Sequence, residues 1–232
     1  MKLRYRLLLC LTVGLLAFFS ARHPHGQTVG TRLVQFGDAA RGRLQPCFDQ
    51  AGVHYPPRNV QLVAIKAERV MQLYASDGQA TNRWIRSYPI LAASGHLGPK
   101  LAEGDGQVPE GIYPIEALNP NSLYHVSLRI GYPNAFDRAM AAKMGRTDLG
   151  GDIMIHGQSV SIGCLAMGNV AAEDLFVLAA DTGVKNLAII ITPVDFRMGK
   201  TVPSSQTIPD WGHDLYAQIK SALSLLPPQE AK

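Results

Sequence analysis

The chain has little cysteine: three residues among 232, at positions 10, 47 and 164. That excludes a disulfide framework, and no CxxC or HxxxH pair is present to anchor a zinc site. The N-terminal apolar run, Leu7 to Phe19, is interrupted only by Thr12 and Gly14. It falls short of the roughly 20 apolar residues a spanning helix needs. A basic surface is also lacking. Lys2, Arg4, Arg6 and Arg22 precede residue 23, where no acidic residue stands, and the remaining 18 basic residues balance 18 acidic ones. The folded part is therefore near neutral, and no nucleic-acid partner is expected. The Gly-rich loop from Gly95 to Pro109 lacks the GxxxxGK spacing of a phosphate loop.

What is present begins with an address. A basic Met1–Arg6 followed by the apolar run reads as a secretory signal peptide or a signal-anchor over residues 1–21. The expected location is the periplasm or cell envelope, with the inner membrane as a partner if the segment stays attached. Cys10 belongs to that segment, which leaves Cys47 and Cys164 in an oxidising compartment. Cys47 lies in an expected helix and reads as a small buried hydrophobe.

Residues 22–57 read as a linker and a helical lead-in, with Leu33, Phe36, Ala40 and Leu44 at helical spacing. Pro56-Pro57 closes it. From Val60 the pattern turns to strands: Val60 to Lys66, Val70 to Ala75, an Asp77-Gly78 hairpin signal, then Arg83 to Leu91 with Trp84, Arg86, Tyr88 and Ile90 on one side. Ser122 to Ile130 alternates as a half-buried strand, with Tyr124, Val126, Leu128 and Ile130 on one face. A short helix is expected over Asp137 to Lys143. Asn169 is expected to cap a helix ending at Gly183. Val184 to Thr192 reads as a strand, and Trp211 to Leu225 as an amphipathic helix.

The chemistry centres on residues 153–167, where a strand ends at His156 and a Gly/Ser loop leads to Cys164. Only the thiolate form of a cysteine attacks carbonyls well, and a free thiol has a pKa of about 8.5. An imidazole beside it can take the proton or hold the thiolate. Gly163 would let backbone N–H groups near Cys164 face an incoming carbonyl oxygen. Ser161 would brace the loop or contact the substrate. By residue type alone, a satisfied structural histidine and a packed cysteine fit as well. A zinc reading of His156, Cys164 and His125 is weaker.

The stretch resembles the YkuD-type L,D-transpeptidase signature, an HG-containing strand followed by Ser-x-Gly-Cys. Further pieces agree in order: the Val60–Tyr74 hairpin, Gly98-Pro99-Lys100 through Glu103-Gly104-Asp105-Gly106 to Pro109-Glu110-Gly111-Ile112-Tyr113, Tyr132-Pro133-Asn134, and the strand 184–192. The YafK-like branch is most similar. Ile162 stands where most of the family has His, and Ala166 where an Arg often follows. The resemblance implies a mainly β fold with flanking helices (α+β), an antiparallel sandwich or meander with a helix after the cysteine loop. It implies a catalytic domain over residues 58–197, with a helical extension over 198–232. Cys164 would be the nucleophile, His156 the general base, Gly163 part of the oxyanion loop, and Tyr132, Asn134 and Gly157 substrate contacts. No metal or organic cofactor is expected. The implied activity is acyl transfer on peptidoglycan stem peptides, the acyl group passing to an amine on another stem or a lipoprotein. Two alternatives stand beside it: hydrolysis of the same acyl-enzyme by a carboxypeptidase or amidase, and a non-catalytic wall-binding or partner-activating protein.

Overall fold

The structure, a computed structural model, describes residues 26–78 and 81–229. The segment 1–21 read as an export signal, with Cys10, lies outside the described residues.

The lead-in is a single long helix, α1 (Val29–Ala51). Thr28 caps it: its hydroxyl accepts from the Thr31 N–H, and the Thr31 hydroxyl accepts from the Thr28 N–H. Gly52 ends it at φ +64, a left-handed turn that glycine adopts without strain. The expected helical stripe is real, and Phe36, Ala40, Leu44 and Phe48 are buried along it. They pack against α3 (Asn169–Thr182). Arg41 forks onto Asp181 at 2.8 Å, and Arg43 reaches the fully buried Asp174 at 2.8 Å.

Among the described residues nine strands form one mixed sheet. In chain order they are β1 (Asn59–Ile65), β2 (Val70–Ser76), β3 (Arg83–Pro89), β4 (Ala92–Ala93), β5 (Gly111–Asn119), β6 (Ser127–Ile130), β7 (Met154–His156), β8 (Leu165–Ala166) and β9 (Leu187–Thr192). Their order across the sheet is β3-β2-β1-β9-β5-β6-β7-β8-β4. The opening meander is present, but β1 runs parallel to β9, and β7 parallel to β8. The fold class is α+β, as the sequence indicates.

Strand alternation sorts the sheet into two faces. Leu62, Ala64, Ile189, Ile191, Tyr113, Ile115, Leu128, Ile155 and Leu165 point to the core beneath α1 and α3. On the other face Val63, Ile65 and Ile190 pack against α4 (Gly212–Leu223) through Leu215, Ile219 and Leu223. The C-terminal helix is therefore part of the same body as the sheet. It lies over the β1, β9 and β5 strands, and β6–β8 keep their second face for other use.

Three expectations are corrected. Trp84 and Tyr88 enter opposite cores because Ile85 is an extra residue in the pairing of β3 with β2, which flips the side chains that follow. The strand expected over Ser122–Ile130 keeps only its second half, since His125 sits at φ +80 and breaks the alternation. Asn169 is the first residue of α3 and Gly168 takes the cap position.

One buried ion pair joins these parts. Lys66 Nζ lies 2.9 Å from Glu110 Oε1 and also donates to the carbonyls of Gly98 and Val108, at 3.0 Å each. Glu110 accepts from the Gly98 N–H at 2.7 Å and from the Tyr216 hydroxyl of α4 at 2.8 Å. Burial pulls the Lys66 pKa down, and Glu110 opposes this. In Glu110→Gln the ammonium loses its counter-charge, a loss expected to cost about 3–5 kcal/mol near neutral pH. The folded-state pKa of Lys66 then lies further below its unfolded value. The penalty is full below the folded pKa and fades as pH rises towards the ordinary lysine value of 10.5. Urea unfolding at pH 7 and pH 10 checks this: the gap between variant and parent should narrow at the higher pH.

Candidate active site

Register places the functional side chains in two short rows. Arg129 of β6 pairs with Met154 of β7, and Ser127 pairs with His156. Across the parallel pairing Ile155 faces Leu165 and His156 faces Ala166, so Cys164 falls beside Met154. Because Leu128, Ile153, Ile155 and Leu165 point into the core, their alternating neighbours Ser127, Arg129, Met154, His156 and Cys164 share the opposite face. His156 and Cys164 are one strand and two residues apart, a diagonal of about 8 Å between Cα atoms at ordinary strand spacing.

The histidine is fixed in one tautomer. Its Nδ1 lies 2.6 Å from the Gly157 carbonyl. A carbonyl only accepts, so Nδ1 carries the hydrogen and Nε2 keeps the lone pair. The ring also lies on Tyr124, with centroids 4.6 Å apart, and the residue is 2% exposed. Burial lowers its pKa, which favours the neutral base. Gly157 is where only glycine fits: a Cβ would come within 2.6 Å of Asn169 Oδ1 and 2.7 Å of the Tyr124 carbonyl. In this place Gly157, expected as a substrate contact, aims the imidazole through its carbonyl. Asn169 closes this corner by accepting the Gln158 N–H at 3.0 Å.

Ser161 braces the cysteine loop. Its hydroxyl accepts the Cys164 N–H at 3.2 Å and donates to the Cys164 carbonyl at 2.7 Å. Ser94, which nothing in the sequence singles out, completes the brace. The Gly163 N–H donates to Ser94 Oγ at 2.6 Å, and Ser94 Oγ donates to the Gly106 carbonyl at 2.7 Å. Gly163 itself stands at φ +94, a conformation that favours glycine. In this conformation the N–H groups of Gly163, expected in the oxyanion loop, and of Cys164 are both directed at serine hydroxyls. The Gly95–Pro109 loop thus forms a wall of the site.

The Cys164 thiol points to the Asp152 carbonyl, 3.8 Å away. Burial pushes its pKa up and Asp152 adds to this, while a hydrogen bond from the Met154 backbone and the Lys100 ammonium act the other way. The resting pair is a protonated thiol and a neutral imidazole. Such a pair reacts by general-base transfer rather than from a preformed thiolate. Cys47 is also a free thiol, half-buried on α1.

Tyr132 and Asn134, expected as substrate contacts, make hydrogen bonds within the fold. Tyr132 is buried and donates to the Leu149 carbonyl at 3.3 Å. Asn134 caps α2 (Ala135–Lys143), its Oδ1 accepting from the Asp137 N–H and its Nδ2 donating to the Ile112 carbonyl, at 3.0 Å each. His125, weighed as a zinc ligand, is paired with Glu173 at 2.8 Å. Among the described residues no group of three His, Cys, Asp or Glu could hold a metal. Ser127 is a residue that sequence reasoning missed: it is 1% exposed, it sits opposite His156, and its hydroxyl has no partner among the described residues.

Comparison with known proteins adds to this geometry. The family model of the L,D-transpeptidase catalytic domain, YkuD, matches residues 59–195. That span holds all nine strands, α2, α3, His156 and Cys164, and leaves α1 and α4 outside. YafK of Escherichia coli strain K12 is 40% identical over 144 residues, which cover 60% of this chain and 55% of YafK. The chain thus spans about half the length of that relative. Among solved structures, the helical cell shape determining protein Pgp2 of Campylobacter jejuni aligns over 67% of this chain and 56% of its own, at 23% identity and a TM-score of 0.47. Bd1075 of Bdellovibrio bacteriovorus aligns over 72% and 55%, at 23% identity and a TM-score of 0.42. With the family model covering more than half of its residues, the chain belongs to the YkuD family of L,D-transpeptidase catalytic domains.

Proposed function

We propose that this protein is an exported acyl-transferase that acts on peptidoglycan stem peptides through a Cys164 acyl-enzyme. One observation carries the reading. The Gly157 carbonyl holds the Nδ1 hydrogen of His156, so the Nε2 lone pair is the base available on the sheet face that also bears Cys164. Family membership supplies the substrate class.

The chemistry follows from the tautomer. As the sulfur attacks the carbonyl of the third, diamino-acid residue of a stem, its proton passes to Nε2. The carbon–nitrogen bond to the terminal D-residue then breaks, and the leaving amine takes the proton from the imidazolium. An amine on another stem or on a lipoprotein then attacks the thioester while Nε2 takes its proton; the new carbon–nitrogen bond forms as the carbon–sulfur bond breaks, and the imidazolium returns the proton to the Cys164 sulfur. Water in place of the amine turns the same intermediate into a carboxypeptidase or amidase product. The serine brace is consistent with this scheme. Rotating the Ser161 hydroxyl off the Cys164 N–H frees a donor next to the attacked carbonyl.

Intact-mass measurement after exposure to a carbapenem reads the first half-reaction. Cys164→Ala should show no adduct, and His156→Ala should acylate at least ~100-fold more slowly. Near-normal acylation of His156→Ala would remove the histidine from its role as base.

The pH profile tests the neutral pair. The His156 pKa lies below its ordinary 6.5 and the Cys164 pKa above its ordinary 9.0. Acylation should rise on an acidic limb below pH 6.5 and stay flat from there to the thiol range. A thiolate–imidazolium pair would instead lose rate as the imidazolium deprotonates, so a fall between pH 7 and pH 9 contradicts the scheme. Mass analysis of muropeptides separates the outcomes: cross-linked dimers mean transfer, and shortened stems or released lipoprotein mean hydrolysis. Intact muropeptides with no adduct on Cys164 would instead favour a non-catalytic wall-binding protein.

A further inference from the structure

We propose that Ser127 is a positioning residue for the acyl transfer: from β6 it turns its hydroxyl oxygen towards the imidazole of His156 when the ring holds the Cys164 proton, and so steadies the imidazolium until the leaving amine takes that proton. The inference rests on the base role proposed for His156 and deepens it.

Position comes first. Ser127 and His156 stand directly opposite each other on β6 and β7. The ladder bonds fall on either side of them, from the Ile130 N–H to the Ile153 carbonyl at 2.9 Å and from the Gly157 N–H to the Val126 carbonyl at 3.4 Å. Ladder bonds in an antiparallel pair skip every second residue, so Ser127 and His156 are a non-hydrogen-bonded pair, the kind whose side chains approach most closely. Their Cβ atoms are then about 5 Å apart. The rest of the row offers the hydroxyl little else. Beyond His156 comes Ala166 of β8, with no polar side chain. On the other side Asn119 of β5 spends its Oδ1 on the Asn121 N–H at 2.9 Å.

Energetics come second. Ser127 is 1% exposed, and its hydroxyl has no partner among the described residues. Such a group has given up water and gained no bond, a cost to folding that alanine would remove. Stability therefore does not account for a serine here. A hydroxyl with no partner is free to rotate. The neutral imidazole makes no call on it, since its Nδ1 hydrogen goes to the Gly157 carbonyl. Once Nε2 gains a proton the ring carries a full charge in a buried place. Burial and the Gly157 carbonyl are what set the His156 pKa. Around the ring, Tyr124 lies on its face, Arg129 and Asp152 pair with each other beside the thiol of Cys164, and Glu173 on α3 is taken by His125. The charge is thus left to neutral dipoles, the Gly157 carbonyl and the Ser127 hydroxyl, which cost little to reorient inside a closed site.

The test compares Ser127→Ala, Ser127→Thr and Ser127→Val. Threonine keeps the hydroxyl and valine puts a methyl in its place, so that pair separates polarity from packing. One readout is carbapenem acylation across pH by intact mass. The other is the titration of the His156 ring by NMR with each variant combined with Cys164→Ala, which needs no substrate. The alanine and valine variants should acylate about tenfold more slowly on the plateau and titrate about one pH unit lower, with threonine close to the parent. Ser127→Ala should melt at or above the parent temperature. A merely structural serine gives the opposite pattern: Ser127→Ala melts lower, and water entering the loosened site moves the His156 titration up towards 6.5. That pattern overturns the proposal, as does threonine grouping with valine, or parent-like rate and titration in both the alanine and valine variants; each leaves the base role of His156 standing. Near-normal acylation by His156→Ala overturns the base role and this inference with it.

Discussion

The buried contact between Lys66 and Glu110 is the constraint on which the site's construction depends. It lies at the end of β1, where a charge can be tolerated only if every polar atom around it is matched. The match is drawn from distant parts of the chain: the Gly98 and Val108 carbonyls, the Gly98 N–H and the Tyr216 hydroxyl of α4. Satisfying the pair therefore pins both arms of the Gly95–Pro109 loop. Gln107 tightens it by bonding back to the His96 carbonyl at 2.7 Å and the Gly98 carbonyl at 2.6 Å. With both arms fixed, Ser94 is presented to the Gly163 N–H and to Ser161. The cysteine loop is thus shaped by an electrostatic contact made on another part of the sheet.

The same sheet explains where the candidate site lies. A face covered by α4 is dry and filled with Val63, Ile65, Ile190 and the helix residues. The continuation of that face across β6–β8 lies beyond α4. There Arg129, Met154 and Cys164 reach the surface, with Ser127 and His156 buried beside them, while Leu128, Ile155 and Leu165 hold the strands to the core. Precision comes from rigid strands, and access comes from the missing cover.

Much of this was legible in the chain. Alternation and turn residues locate the early strands, the spacing of Phe36, Ala40 and Leu44 locates α1, and the histidine–cysteine spacing marks the candidate site. What was not legible depends on partners far apart in sequence. Ile85 makes its bulge only against β2, so the side-chain order of β3 could not be read from β3 alone. Ser94 has no local mark, because its importance lies in a hydrogen bond to residue 163. Tyr132 and Asn134 matched family positions, yet their polar atoms are taken by Leu149, Asp137 and Ile112. Sequence similarity preserves a residue equally well for capping a helix and for touching a substrate. Only the hydrogen-bond partners separate the two.

Backbone strain gathers around the strand that carries the base. Of the described residues other than glycine, four have positive φ: Arg69, His125, Asp152 and Gln158. The last three flank β7 or its pairing partner β6. Each such residue costs about 1 kcal/mol or more, so the arrangement persists only where the surroundings over-determine it. They do so here. His125 is held to Glu173 at 2.8 Å, and the Gln158 N–H to Asn169 at 3.0 Å. Two of these residues also turn a backbone group towards the site. Asp152 turns its carbonyl to the thiol, and the turn at Gln158 leaves the Gly157 carbonyl on Nδ1 of His156. A relaxed backbone at those two positions would aim the carbonyls elsewhere and free the imidazole to change tautomer. The strain is thus coupled to the one feature the proposed chemistry requires, a lone pair kept on Nε2.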